Sequence, residues 1–366
     1  MKLEAMRIKH VPLMVLLVFT IACSNDDDAP TVDFDRAEML ENYAGNLIIP
    51  AYENLLVEVQ DLKSNWESFQ QTPTITTLEN TQVSWQETYL AWQRANAFNF
   101  GPAEEEGLKK ALVEEIGVFP VDAEGIEGYI GQGATDLNNP DRDTRGFLAV
   151  EYLLFHTDQN DLVAELQDPT RQAYLSAVIN DLVEELTEIA NAWPTYKSAF
   201  ISNDGTSVGS STSLLYNEFV RSYEVIKNLK VGLPAGVIAG QSGPEPDLVE
   251  CRFSRISLAM LKAHIQAIDA IYYGKGANGD GIGLHEYLQK VVGGPELITS
   301  LEAQWANVFA ALDNVPTDRS FYELVEEEHP AVITLQTELQ KQTRYFKSDL
   351  SSLLGLAITF SSNDGD

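Results

Sequence analysis

Cysteine is nearly absent: only Cys23 and Cys251 occur in 366 residues. No disulfide framework can hold such a chain, so stability must come from a packed core. Histidine is also scarce, with five residues. His285-Glu286-Tyr287-Leu288-Gln289 lacks the second His of a zinc-protease helix. No Gly-x-Ser-x-Gly elbow, phosphate-binding loop or Cys-x-x-Cys pair occurs. Asn278-Gly279-Asp280-Gly281 lacks the Glu spacing of a calcium loop and reads as a flexible loop. Positive charge is sparse: 24 Lys and Arg face 55 Asp and Glu, a formal charge of −31. That argues against nucleic acid as a partner and against electrostatic attachment to anionic membranes. It suits cations or cationic partners, and it also serves plain solubility. The apolar run over 11–22 is too short to span a bilayer comfortably.

That run instead reads as a leader. Lys2, Arg7 and Lys9 precede it, small residues end it, and it is expected to be removed as a signal peptide over 1–22. Against Glu4 the leader carries +2, which leaves the remainder near −33. Thr20-Ile21-Ala22-Cys23 resembles a lipobox, with Cys23 carrying a palmitate-bearing lipid and becoming the first mature residue. Residues 24–28, Ser-Asn-Asp-Asp-Asp, resemble the acidic export signal of Bacteroidota-type surface lipoproteins. The expectation is an outer-membrane lipoprotein exposed at the cell surface, tethered through 23–36, with the periplasmic face as the alternative. With Cys23 lipidated, Cys251 has no partner within the chain.

Helical periodicity dominates the chain beyond this tether. Over 37–62, apolar residues recur at three- and four-residue spacing, from Met39 and Leu40 to Leu56 and Val59, with a possible bend at Pro50. Windows 78–98, 161–193, 213–230, 256–273, 295–312 and 330–353 read alike. Gly and Pro cluster between them, and strand-like alternation is rare. Trp85, Trp92, Phe98, Phe100, Gly101 and Pro102 are matched by Tyr216, Tyr223, Leu229, Val231, Gly232 and Pro234. The offset is 131 up to Gly232, with one residue inserted after it. This predicts an all-α protein of two fused, duplicated helix bundles, over 37–202 and 214–366, joined by a linker at 203–213.

Residues 145–155 hold the sharpest chemical signal. Glu151 sits among Phe147, Ala149, Val150, Tyr152, Leu153, Leu154 and Phe155. A carboxylate so placed is buried, and it needs a cation, hydrogen bonds or a raised pKa. Arg145, Arg252 and Arg255 are its candidate ion-pair partners. Asp122, with Glu124 and Glu127, reads as the first turn of a helix or as part of a cation site near Glu151. Ser254 reads as a helix cap, and Arg252 as a partner of Glu151 or of an anion. His156, five residues beyond Glu151, points about 140° away on an ideal helix. It is expected at a surface or helix end.

Several of these segments resemble the imelysin-like family. Gly146 and Glu151 fit its Gly-x-His-x-x-Glu signature, with Leu148 in place of the His. Phe119-Pro120-Val121-Asp122 resembles the family's Trp-Pro-Leu-Asp turn. Residues 85–102, 230–236, 252–258 and 361–366 resemble further family segments. The resemblance implies a helical fold and a link to iron or haem uptake. It implies a ligand or metal site around Glu151, Asp122, Arg145, Arg252 and Ser254, for iron or another divalent or trivalent cation. Leu148 removes the imidazole that would share a metal with Glu151. The favoured expectation is a non-enzymatic binding component of iron or haem acquisition. The rivals are a metallopeptidase using Glu151 and a structural interaction module without a metal.

Overall fold

A computed structural model describes residues 33–105 and 110–360. The leader, Cys23, the acidic run behind it and the segment 361–366 lie outside the described residues. The rest is helical. In order come α1 (Arg36–Asn42), α2 (Ile49–Gln71), α3 (Ile75–Ala95), α4 (Leu112–Ile116), α5 (Ala123–Gln132) and α6 (Gly146–Phe155). Next are α7 (Gln159–Glu165), α8 (Pro169–Ser202), α9 (Ser211–Glu224), α10 (Ser257–Tyr273) and α11 (Leu284–Gln289). The chain closes with α12 (Gly294–Asp313), α13 (Phe321–Glu326), α14 (Pro330–Thr343) and α15 (Leu350–Leu354). Among the described residues the only β pairing is an isolated bridge between Gly276 and Gly279. No described helix is long and apolar enough to cross a membrane.

Local chemistry explains where periodicity misplaced the ends. The window 161–193 is two helices, because Asp168-Pro169 starts a new one. The Asp168 carboxylate accepts from the amides of Thr170 and Arg171, and Pro169 sits where no amide is needed. Helix α8 then runs past Pro194 to Ser202. Trp193 and Phe200, both buried, pack edge to face at 5.6 Å on either side of the proline. Three segments wind as π-helix: Tyr43–Ile48, Val225–Gly232 and Arg344–Asp349. The bend raised at Pro50 falls at a π-to-α junction: Pro50 is the second residue of α2, directly after the first π segment.

Helix α2 packs between α3 and α8, and α6 lies against α3 and α8. Later in the chain, α12 packs on α14, and α10 touches α9, α11 and α13. Contacts of α10 with α3, and of α1 with α9, join early elements to late ones. Buried tyrosines add a second donor to backbone carbonyls near helix ends. Tyr43 donates to Ile271 in the last turn of α10 at 2.6 Å, and Tyr52 donates to Phe98 just past α3 at 2.9 Å.

The 274–283 loop, whose stretch 278–281 was expected to be flexible, is instead clasped by Asn42 at the end of α1 and Asn46 of the first π segment. Asn42 donates to the carbonyls of Gly274 and Ile282, at 2.8 and 2.9 Å. Asn46 donates to Gly279 at 3.0 Å, and its side-chain oxygen accepts from the Asn278 amide at 2.6 Å. The glycines permit this approach: a Cβ on Gly276 would lie 2.0 Å from the Asn46 carbonyl oxygen. With its bond to the Asn42 side chain at 3.1 Å, the Asn46 side chain makes three partly buried hydrogen bonds, whose loss costs on the order of 3 kcal/mol. Asn46→Ala should therefore lower the unfolding free energy by about that amount. It should also speed amide exchange within 274–283, as hydrogen–deuterium exchange would read.

Candidate functional site

Helix α6 is set by its first residue. Gly146 has φ +76°, and a Cβ there would stand 2.4 Å from the carbonyl oxygen of Ile116. Only glycine allows the end of α4 to press so closely on α6. Phe147 is then gripped by aromatic residues of α3. Trp85 donates to its carbonyl at 2.9 Å, and Tyr89 and Trp92 pack on its ring at 5.5 and 5.3 Å. These contacts carry Leu148 and Glu151 inward, to 3% and 1% exposure.

Glu151 meets no arginine. One carboxylate oxygen accepts from both the amide and the hydroxyl of Ser254, each at 2.8 Å. The Phe253 amide also favours the charged form. Cys251 and Arg255 flank this turn with φ of +55° and +62°, a left-handed conformation uncommon outside glycine. The tight turn thus offers successive donors to an anion, as backbone nests do. Burial nevertheless wins, and with Glu250 nearby it pushes the Glu151 carboxyl up to about 7.

The arginines expected beside Glu151 are engaged elsewhere. Arg145 binds Glu115 at 2.6 Å and the carbonyls of Leu137 and Asn139. Arg252 pairs with Asp247 and lies over the Phe253 ring at 4.5 Å. Arg255 pairs with Glu323 at 2.6 Å on the surface. Their positive charge falls nearer other carboxylates, and Glu151 is left to neutral donors. Ser254 is committed to Glu151 and does not cap α10, which starts after Ile256. Asp122 caps α5, accepting from Gly125 at 3.0 Å, and Glu127 binds Arg171 at 2.7 Å. His156 sits at the end of α6, 2.9 Å from Glu165. Among the described residues, no three His, Cys, Asp or Glu side chains are grouped to share a metal ion.

Beside this turn lies a polar cluster that sequence reading missed. Glu250 and Lys230, each about 5% exposed, pair at 2.9 Å. Tyr89 donates to Glu250 at 2.6 Å, and Lys230 donates to Gln93 at 2.7 Å. Cys251 is a free, buried thiol whose pKa burial raises strongly. Lys230 and Glu250 border a cleft of about 230 Å³ between the end of α3, the 113–119 segment and α9. In its wall, Ser222 lies 2.7 Å from Nε2 of His264, which burial keeps neutral. Glu218 also lines it: burial pushes this carboxyl up to about 7, against the pull of Arg221 at 3.5 Å. A usable signal was present in Lys230. It lies four residues after Ile226 and seven after Tyr223, on the face of their buried stripe, a charged residue where an apolar one is expected.

The folded state holds the Glu151 proton more tightly than the unfolded chain, so this residue favours folding at low pH. That contribution fades as pH rises from about 4.5 through about 7. The shift corresponds to about 3 kcal/mol. Glu151→Gln should remove this part of the slope, so denaturation midpoints of the two proteins should diverge above pH 6 with the variant the more stable. Lys230→Met leaves Glu250 buried without its cation and should cost about 3–5 kcal/mol, read by chemical unfolding at pH 7.

The same overall arrangement occurs in known proteins. The Imelysin family profile matches residues 48–346. Iron-regulated protein A of Synechococcus elongatus is 24% identical over 313 residues, 82% of each chain. A crystal structure assigned to an iron-regulated protein A precursor of Parabacteroides distasonis superposes with a TM-score of 0.74 at 19% identity. It covers 88% of this chain and 96% of its own. An imelysin-like protein of Psychrobacter arcticus gives 0.70 at 19% identity, over 90% and 99%. With the profile spanning most of its length, the chain belongs to the imelysin family.

Proposed function

We propose that this protein is a non-enzymatic binding component of iron acquisition, held at the outer membrane by a lipid on Cys23 and exposed at the cell surface. The observation that carries the binding reading is the cleft bordered by Lys230 and Glu250. It combines buried charge, a neutral His264 and a carboxyl near neutrality, Glu218, in one concave site. The names of the Synechococcus and Parabacteroides relatives support a link to iron. Leu148 stands where a second metal ligand would be needed, and one oxygen of Glu151 is already engaged by Ser254. Both weigh against catalysis on a metal at Glu151, which wants several protein ligands and an open position.

The cleft lies below the common range of about 300–1,000 Å³ for small-molecule sites. That favours a small iron chelate, or one edge of a larger group such as haem, over an enclosed haem. Arg221, partly exposed and only loosely paired with Glu114 and Glu218 at 3.4 and 3.5 Å, is the cation an anionic chelate would meet, and Glu218 gains or loses its proton near neutral pH.

Calorimetric titration of the mature protein with ferric citrate is expected to show saturable binding that Arg221→Gln weakens about tenfold. Absence of binding to ferric citrate, ferric ion and haem would overturn the reading. Cleavage of unfolded casein that Glu151→Gln abolishes would replace it with the peptidase. Cys23→Ala should move the protein from the membrane fraction to the soluble one. A mature wild-type protein found soluble, without lipid, would remove the anchor.

A further inference from the structure

A second concavity lies elsewhere along the contact of α3 with α10, and its chemistry is opposite to the first. It measures about 440 Å³, within the range of small-molecule sites. Leu47, Leu90, Phe98 and Ile271 form apolar walls, and the alanines at 263, 267 and 270 on α10 leave the room between them. None of its 17 lining residues is acidic, while Arg94 and Lys275 are both present. In a chain with 55 acidic residues in 366, two or three would be expected among 17. The Lys275 ammonium is occupied, 4.3 Å from the centre of the Tyr273 ring. Arg94 is exposed at the rim and has no ion pair or side-chain hydrogen bond among the described residues. Glu58 is an acid that feels its charge, but at a distance that forms no bridge. Asn54 and Gln266, also exposed in its lining, make no side-chain hydrogen bond among the described residues.

We propose that this cleft binds a small amphipathic monoanion, an apolar body carrying one carboxylate. The body fills the space beside the α10 alanines, and the carboxylate meets the Arg94 guanidinium, whose planar fork suits two-point contact with carboxylate oxygens. Charge complementarity and volume select this ligand class. Neither depends on the iron reading, whose residues line the other cleft.

The test uses the mature protein, with 1-naphthoate and octanoate as aromatic and short-chain carboxylate probes and 1-naphthalenemethanol as the neutral analogue. Binding is measured by calorimetry and, for the naphthalenes, by fluorescence. At least one carboxylate should bind at least tenfold more tightly than the neutral analogue. Preference between the two acids identifies a flat or an extended body. Arg94→Gln should weaken the acid about tenfold and leave the neutral analogue unchanged. Glu58→Gln should tighten it. Ala270→Leu, which fills the cleft from a half-buried position on α10, should abolish binding of all probes while circular dichroism and the melting temperature stay close to wild type. If that variant unfolds, Ala51→Leu from the opposite wall serves the same purpose. No carboxylate binding at millimolar concentration, equal affinity for acid and alcohol, or indifference to Arg94→Gln would each overturn the proposal. Ferric citrate binding should be unaffected by Arg94→Gln, so failure of either site is read separately.

Discussion

Burying a carboxylate without compensation costs several kcal/mol, and this chain buries two within reach of one another's field, Glu151 and Glu250. The interior is organised around their separate solutions. Glu250 takes the ionic one: Lys230 from the second π segment and Tyr89 from α3 close on it. Glu151 takes the neutral one, through the Ser254 hydroxyl and the amides of a tight turn. Because both acids depend on the residues 250–254, that short turn ties together α3, α6, the second π segment and the start of α10. Displacing it would strand two buried charges at once. A left-handed backbone at Cys251 and Arg255 is a small cost beside that.

The same contact that brings α3 to α10 creates two concave sites. Trp92 of α3 and Asn96 just past its end line one, and Leu90, Ala91 and Arg94 line the other. On α10, His264 serves the first, while Ala263 and Ala267 serve the second. Adjacent positions on a helix face different directions, so one helix pair can present charged groups to one cleft and an acid-free, apolar wall to its counterpart. The net charge of the chain does not describe the second site, which has no acid in its lining, whereas the first sets Glu114, Glu218 and Glu250 against Arg221 and Lys230.

The fold was legible for a simple reason. Three- and four-residue spacing of apolar side chains marks a helix face whatever packs on it, and the windows at 78–98, 256–273 and 295–312 fall within a few residues of α3, α10 and α12. The π segments were invisible, since one extra residue in a turn barely alters that spacing over a short window. The break at Asp168-Pro169 was readable from cap chemistry and was overridden by a continuous apolar stripe. The loop at 274–283 looked free because its glycines suggest mobility, while the asparagines that hold it lie more than 200 positions earlier.

For the site, sequence alone determined that Glu151 is buried and that Leu148 cannot share a metal with it, because composition around a residue sets its solvation. The family itself was readable too, since short ordered segments survive where overall identity is low. Which group answers Glu151 was decided only by tertiary structure. Three arginines were plausible, and all three went to nearer acids, Glu115, Asp247 and Glu323. Ion pairing depends on distances between elements that periodicity does not encode. The pairing of Lys230 with Glu250, the cleft they border, and the acid-free cleft along the same helix pair exist only once α3, α9 and α10 are packed together.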